Sequence, residues 1–142
     1  KTGTKGKLCL GILIISLALT DAICGHILKP FFERIRPSHL NLDGINLIVS
    51  KGGKWSMPSN HAANMFSLAT VLSYFYKRFR LSLFALATII AFSRVYVGVH
   101  FPGDVLVGGL IGYSIALTVL TFWGKVKLRE IKKGKTWIVF DR

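Results

Sequence analysis

Apolar residues dominate four stretches of the chain, 8–28, 62–76, 81–99 and 105–123, and polar residues collect between them. Within these stretches the apolar positions run around every face instead of forming one stripe, which predicts helices with apolar surroundings on all sides. A bilayer core takes about 20 helical residues, and about 17 suffice. Three stretches reach that length, and the second does so if its helix begins near Ser59. The pattern predicts an all-α fold, a polytopic transmembrane helix bundle. Its four membrane helices lie over about 8–28, 59–76, 81–99 and 104–123, with an outer loop over 29–58 and a basic cytoplasmic tail over 124–142. A soluble helical bundle is the alternative, and helices lacking a polar face argue against it.

The 142 residues read as a single domain without internal repeats. The first stretch is no cleaved export signal: it is too long, lacks a small-residue cleavage site, and carries Asp21 and His26 near its end. The sequence opens at Lys1 in a basic run without methionine, so further membrane helices are expected upstream. Cys9 and Cys24 lie on one predicted helix, about 22 Å apart by helical rise, and cannot pair with each other. They read as small buried hydrophobes.

Composition sharpens this picture. Half of the residues are hydrophobic (51%), yet the net charge is +13. Such an excess raises nucleic acid as a partner, but its distribution argues otherwise. Thirteen of the nineteen Lys and Arg fall in three clusters, at 1–7, 77–80 and 125–142, with no aromatic–basic interleaving. Alternating helices bring all three clusters to one face, which the positive-inside bias makes cytoplasmic, where they anchor to anionic headgroups. The other six cations, Lys29, Arg34, Arg36, Lys51, Lys54 and Arg94, gather toward the outer face with His26, His39, His61 and His100. Positive charge against the topology bias calls for an anionic ligand there. The loop over 38–55 reads equally well as an interfacial segment, with Trp55 at headgroup level, or as an ordinary connection.

Three motifs face that outer compartment. In "KPFFERIRP" Lys29 and Arg36 stand about two helical turns apart. Arg36 can grip phosphate with a planar fork and Lys29 adds a point charge, although the two also suit a snorkelling pair. In "MPSNHAAN" Pro58 precedes a helix start with Ser59 or Asn60 at the cap. Free N–H groups and the Ser59 hydroxyl then make an anion site, and His61 in the first turn can give a proton to a leaving group. The simpler reading is a cap beside an incidental histidine. In "RVYVGVHFPGDVLVG" Arg94 lies late in a membrane helix and needs a partner or a water-filled cavity. His100 is expected to emerge at the surface, and Asp104 to start the next helix. A carboxylate near an imidazole fixes its tautomer and stabilises its cation, or the two form a structural pair beside a snorkelling Arg94.

Taken in order, Lys29 with Arg36-Pro37, Pro58-Ser59-Asn60-His61, and Ser93-Arg94 with His100 and Asp104 resemble the three motifs of the type 2 phosphatidic acid phosphatase (PAP2) superfamily. The resemblance spans 29–104 and departs at Asn60, where the family usually has glycine; altered phosphate packing with retained activity is expected from that change. It implies a membrane lipid phosphate phosphatase whose four helices form the core of a six-helix protein. By the same resemblance His100 is the nucleophile that forms a phosphohistidine, Asp104 orients its ring, and His61 protonates the departing oxygen and then activates water. Lys29, Arg36, Ser59, Arg94 and the Asn60 backbone would bind the phosphoryl oxygens. No cofactor or metal is expected, because the cations do a metal's electrostatic work.

The implied partner is a lipid phosphate at the extracytoplasmic, periplasmic face of a bacterial inner membrane, with no role for nucleic acid. Candidate substrates are undecaprenyl diphosphate, phosphatidylglycerol phosphate, phosphatidic acid and lipid A. Arg34, Lys51 and Lys54 hint at a multiply charged headgroup. A vanadate-dependent haloperoxidase within the superfamily is disfavoured by the apolar helices. A non-catalytic membrane protein that binds anionic lipid is the alternative from another class.

Overall fold

The first apolar run folds as one long helix with a change of winding near its end. Helix α1 covers Thr2–Ala22, continues through a π-helical segment, Ile23–Leu28, and ends in a last α-helical turn, α2, Lys29–Phe32. Pro30 accounts for the change: proline has no N–H, and its ring crowds the carbonyl four residues back. The wider winding ahead of it, with the Lys29 N–H bonded to the Cys24 carbonyl, relieves that crowding. Glu33 then adopts a left-handed conformation (φ 44°) and stops the helix.

The computed structural model describes residues 2–40, 50 and 52–135, and it is helical apart from one isolated bridge between Ile35 and Trp55. Helices α3 (Asn60–Phe75), α4 (Arg80–Tyr96) and α5 (Pro102–Lys132) complete it, with short 3-10 turns at Pro37–His39 and Lys77–Phe79. The interfacial reading of 38–55 falls largely outside the described residues, as do Lys51 and residues 136–142.

Among the described residues three helical spans are long and apolar enough to cross a membrane: Gly3–Phe32, Lys77–Tyr96 and Pro102–Lys132. The other expected crossing, 59–76, is the 16-residue α3, about 24 Å long. Its position explains its shortness and its polarity. α3 packs against α1, α4 and α5, burying the small residues Ala62, Ala63, Ser67 and Ala69. Its Thr70 and Ser73 hydroxyls donate to the carbonyls of Phe66 (2.7 Å) and Ala69 (2.5 Å), so enclosure by protein leaves them satisfied.

α5 corrects the expected 104–123 at both ends. It starts at Pro102, whose fixed φ suits the first helical position, and it continues nine residues past Trp123 to Lys132. The first part of the expected tail is therefore helix, because residues 125–132 are good helix formers free of glycine and proline.

α3 and α5 meet along Gly108, Gly109 and Gly112. A methyl group at Gly108 would lie 2.5 Å from the Ser59 carbonyl oxygen, and one at Gly112 would overlap the Ala63 carbonyl. Small residues spaced four apart let two helix backbones approach in an apolar setting. That approach sets the start of α3 beside the start of α5. At the opposite end Cys9, Ile12, Val71, Phe75, Ala116 and Leu120 form a core, and the Lys5 ammonium sits 5.0 Å from the Tyr76 ring centre. The described parts of the basic clusters lie toward this end of the bundle. Both cysteines are buried and free.

Candidate active site

The opposite end of the bundle carries the polar residues, and its centre is the turn from α4 to α5. Gly98 adopts φ 74°, which L residues rarely take, and the His100 N–H reaches back to the Arg94 carbonyl (3.2 Å). Phe101 then caps α5, and its N–H donates to Asp104 Oδ2 at 2.7 Å. Asp104 thus sits in the first turn and faces His100, with Nδ1 to Oδ2 at 3.6 Å.

The expected pair is present, but it does not emerge at the surface. His100 is 3% exposed and Asp104 fully buried. The cover is a strip in which 34–36 runs beside 54–56: the Arg36 N–H bonds to the Lys54 carbonyl (3.1 Å) and the Ser56 N–H to the Arg34 carbonyl (2.6 Å). Burial pulls the His100 pKa below its ordinary 6.5, the hydrogen bond to Asp104 opposes this, and the charges of Arg36 and Lys29 add to the lowering. The lowering favours the neutral ring. With Nδ1 directed at a carboxylate, a neutral imidazole presents Nε2 as base or nucleophile.

The second motif folds as expected. Ser59 is the N-cap of α3, its Oγ 3.5 Å from the Ala62 N–H it accepts, while its own N–H donates to the Asp104 carbonyl at 3.0 Å. The N–H groups of Asn60 and His61 lie in the first turn, where no intrahelical acceptor exists. His61 is exposed there and feels the charges of Arg94, His100, Arg36 and Lys29. The Asn60 amide turns toward α1 and donates to Asp21 Oδ1 at 2.8 Å.

Arg36 is fixed by its Nε–H, which donates to the Trp55 carbonyl (3.1 Å), and by Gly52, whose bare Cα leaves room for the guanidinium. Burial lowers the Arg36 pKa from its ordinary value, and the Asp104 charge opposes the change. Lys29 is half-buried, its charge acting on Arg36 and on both histidines. Arg94 finds its expected partner next door, donating from Nε (3.2 Å) and Nη2 (3.1 Å) to the Ser93 hydroxyl. The fold thus gathers Lys29, Arg36, Ser59, Asn60, His61, Arg94, His100 and Asp104 at one end.

Two residues join them unannounced. Ser56 is fully buried and donates its hydroxyl to Asp104 Oδ2, with the same oxygen 3.5 Å from His100 Nδ1. Arg34, read in the sequence as a hint of a multiply charged headgroup, donates from Nη1 to Asp104 Oδ1 at 3.1 Å while its side chain stays 42% exposed, its guanidinium carbon 4.3 Å from the Phe101 ring centre. Lys54 likewise lies over the Trp55 ring at 4.7 Å. The period-two Arg-Ile-Arg pattern was the available sign that 34–36 is extended; nothing local marks Ser56.

Beside this end an apolar cavity of about 410 Å³ opens between α3, α4 and α5, lined by Phe66, Phe84, Phe92, Val95, Pro102 and Val105 among others. Val95 follows Arg94, and Pro102 and Val105 flank Asp104 and the His100 turn. Among the described residues no group of three His, Cys, Asp or Glu stands together to hold a metal ion.

Comparison with known proteins adds family context. Residues 9–127 match the family model of the PAP2 superfamily. A lipid A 4'-phosphatase of Bacteroides thetaiotaomicron is 34% identical over 76% of this chain and 51% of its own length. The crystal structure of Aquifex aeolicus LpxE superposes with a TM-score of 0.72 at 38% identity, covering 81% of this chain and 68% of that one. A PAP2-type phosphatidylglycerolphosphate phosphatase of Bacillus subtilis gives a TM-score of 0.57 at 26% identity, over 85% and 60% of the two chains. The chain spans about half the length of the curated relatives it matches first.

Proposed function

Since the chain belongs to the PAP2 superfamily, we propose that it is an integral-membrane lipid phosphate phosphatase working through a covalent phosphohistidine. The observation that carries this reading is the buried His100–Asp104 pair beside the N-terminus of α3 and the cations Lys29, Arg36 and Arg94. A phosphoryl group needs a nucleophile, charge on its equatorial oxygens and a proton for the leaving oxygen. Nε2 of His100 attacks phosphorus, the P–N bond forms, and the bond to the lipid oxygen breaks. His61 gives that oxygen its proton. His61 then takes a proton from water as the water attacks phosphorus, the P–N bond breaks, and inorganic phosphate leaves. Lys29, Arg36, Arg94, the Ser59 hydroxyl and the Asn60 N–H bind the phosphoryl oxygens throughout.

The apolar cavity supports a lipid substrate, since it offers a hydrocarbon chain a seat reaching the His100 turn. The names of the relatives point to lipid A, phosphatidylglycerol phosphate and undecaprenyl diphosphate as the headgroup classes to test. The basic clusters support a site on the outer face of a bacterial inner membrane.

Phosphate release from a panel of these lipids, in detergent, tests the reading. At least one lipid is turned over, EDTA leaves the rate unchanged, and His100→Ala lowers it by more than about a thousandfold, as loss of a covalent nucleophile does. A panel without turnover, or equal turnover by His100→Ala, overturns it and favours an anionic-lipid-binding protein.

A further inference from the structure

We propose that Arg34 and Ser56 are positioning residues that hold Asp104 by both carboxylate oxygens and thereby set the ring of His100. The inference rests on the phosphatase reading for its consequence, though not for its geometry. Asp104 is fully buried, and a buried carboxylate needs several donors to remain ionised. Oδ2 receives the Ser56 hydroxyl and the Phe101 N–H, and it faces His100 Nδ1; Oδ1 receives Arg34. The Phe101 N–H holds Oδ2 from within the cap of α5 and leaves Oδ1 to other donors. Arg34 and Ser56 come from elsewhere, 70 and 48 residues away in sequence, on two segments joined by the Ser56 N–H to Arg34 carbonyl bond.

This joint has a chemical consequence. Held by the Phe101 N–H alone, the carboxylate could still tilt and change the direction in which it meets Nδ1. Gripped at both oxygens, it presents one lone-pair direction to His100, which keeps the proton on Nδ1 and leaves Nε2 basic. The same grip spreads the Asp104 charge over Arg34 and Ser56, so the carboxylate draws less on the imidazolium. Arg34 thereby gives one N–H to Asp104 Oδ1 while its side chain stays 42% exposed at the edge of the site. The strip carrying both residues also carries Arg36, so phosphate binding and ring orientation share one support.

The test compares the full chain in detergent with Ser56→Ala, Ser56→Thr, Arg34→Gln and Arg34→Lys. With a turned-over lipid phosphate, Ser56→Ala and Arg34→Gln lower kcat roughly tenfold to a hundredfold, the loss expected on removing one hydrogen bond to a charged group. KM stays within about twofold, because both residues act through their bonds to Asp104. Ser56→Thr and Arg34→Lys recover part of the loss, which separates the missing contact from a general failure to fold.

The second readout needs no substrate: the titration of His100 by NMR of histidine labelled with nitrogen-15. Asp104, Arg36, Lys29 and His61, the charged and titratable groups that act on the ring, all remain in place. In Ser56→Ala and Arg34→Gln the midpoint moves upward, since a less satisfied Asp104 draws more strongly on the imidazolium. An unmoved midpoint overturns the proposal, as does a raised KM with unchanged kcat, which would make Arg34 a phosphate ligand. A chain without turnover whose His100 midpoint still moves overturns the phosphatase reading and supports the placement.

Discussion

At the scale of single residues, His100 combines two demands that conflict in water: it must be near a carboxylate, yet unprotonated. Proximity to Asp104 alone would raise its pKa. Burial together with Arg36 and Lys29 moves the value the other way, and burial is the largest of these effects. The consequence for pH dependence follows from the sign. A protonated ring has no lone pair for phosphorus, so turnover holds as pH falls past the ordinary 6.5 and drops only through the lowered value. A kcat/KM profile for the lipid substrate checks this, and an acidic limb above pH 7 would contradict it. Much of this site was legible in the sequence because motif spacing carries each group to the start or end of a helix: Ser59 caps α3, and Asp104 lies in the first turn of α5. Arg34 and Ser56 were not legible as partners. Their meeting depends on the pairing of 34–36 with 54–56 across a loop, and no hydrophobic period records that.

At the scale of elements, the close approach of α3 and α5 brings the start of α3 to the His100 turn. Overpacking a tight contact costs typically about 1–3 kcal/mol, and more where backbone must yield. Gly112→Ala sets a methyl against the Ala63 carbonyl and is expected to destabilise by about 3 kcal/mol, with loss of activity. Gly109→Ala meets only the Phe66 ring at 3.2 Å, which can turn, so about 1 kcal/mol is expected. Gly124→Ala meets nothing within 4 Å and is expected to be neutral, or stabilising by about 0.5–1 kcal/mol through helix propensity. Unfolding in detergent ranks the three, and a Gly112→Ala protein as stable as the parent would show that the helices are not in backbone contact. The apolar runs forecast three long spans, and the expected 59–76 matches the shorter α3 together with its caps Ser59 and Tyr76. Hydropathy reports lipid contact, whereas α3 is enclosed by its neighbours. The π-helical segment was hidden, because Pro30 in "KPFFERIRP" signals a helix end as readily as a change of winding.

At the scale of the whole molecule, the chain is polarised end to end. One end carries the described residues of the basic clusters around an apolar core, and the other carries the histidines and the cations that face them. This arrangement predicts sidedness. In a background lacking Cys9 and Cys24, an impermeant maleimide added to intact cells labels Lys54→Cys, and it labels Lys133→Cys only after the membrane is opened; the reverse pattern would invert the topology. The central claim concerns chemistry at the outer end, and capture of the covalent intermediate tests it most directly. Phosphohistidine is acid-labile, so turnover of a phosphate-labelled lipid is quenched in denaturant at alkaline pH and the peptides are read by mass spectrometry. The account predicts a phosphoryl group on His100 that is absent from His100→Ala. Rapid turnover with no phosphoryl group on His100, or a label that persists in His100→Ala, would contradict it.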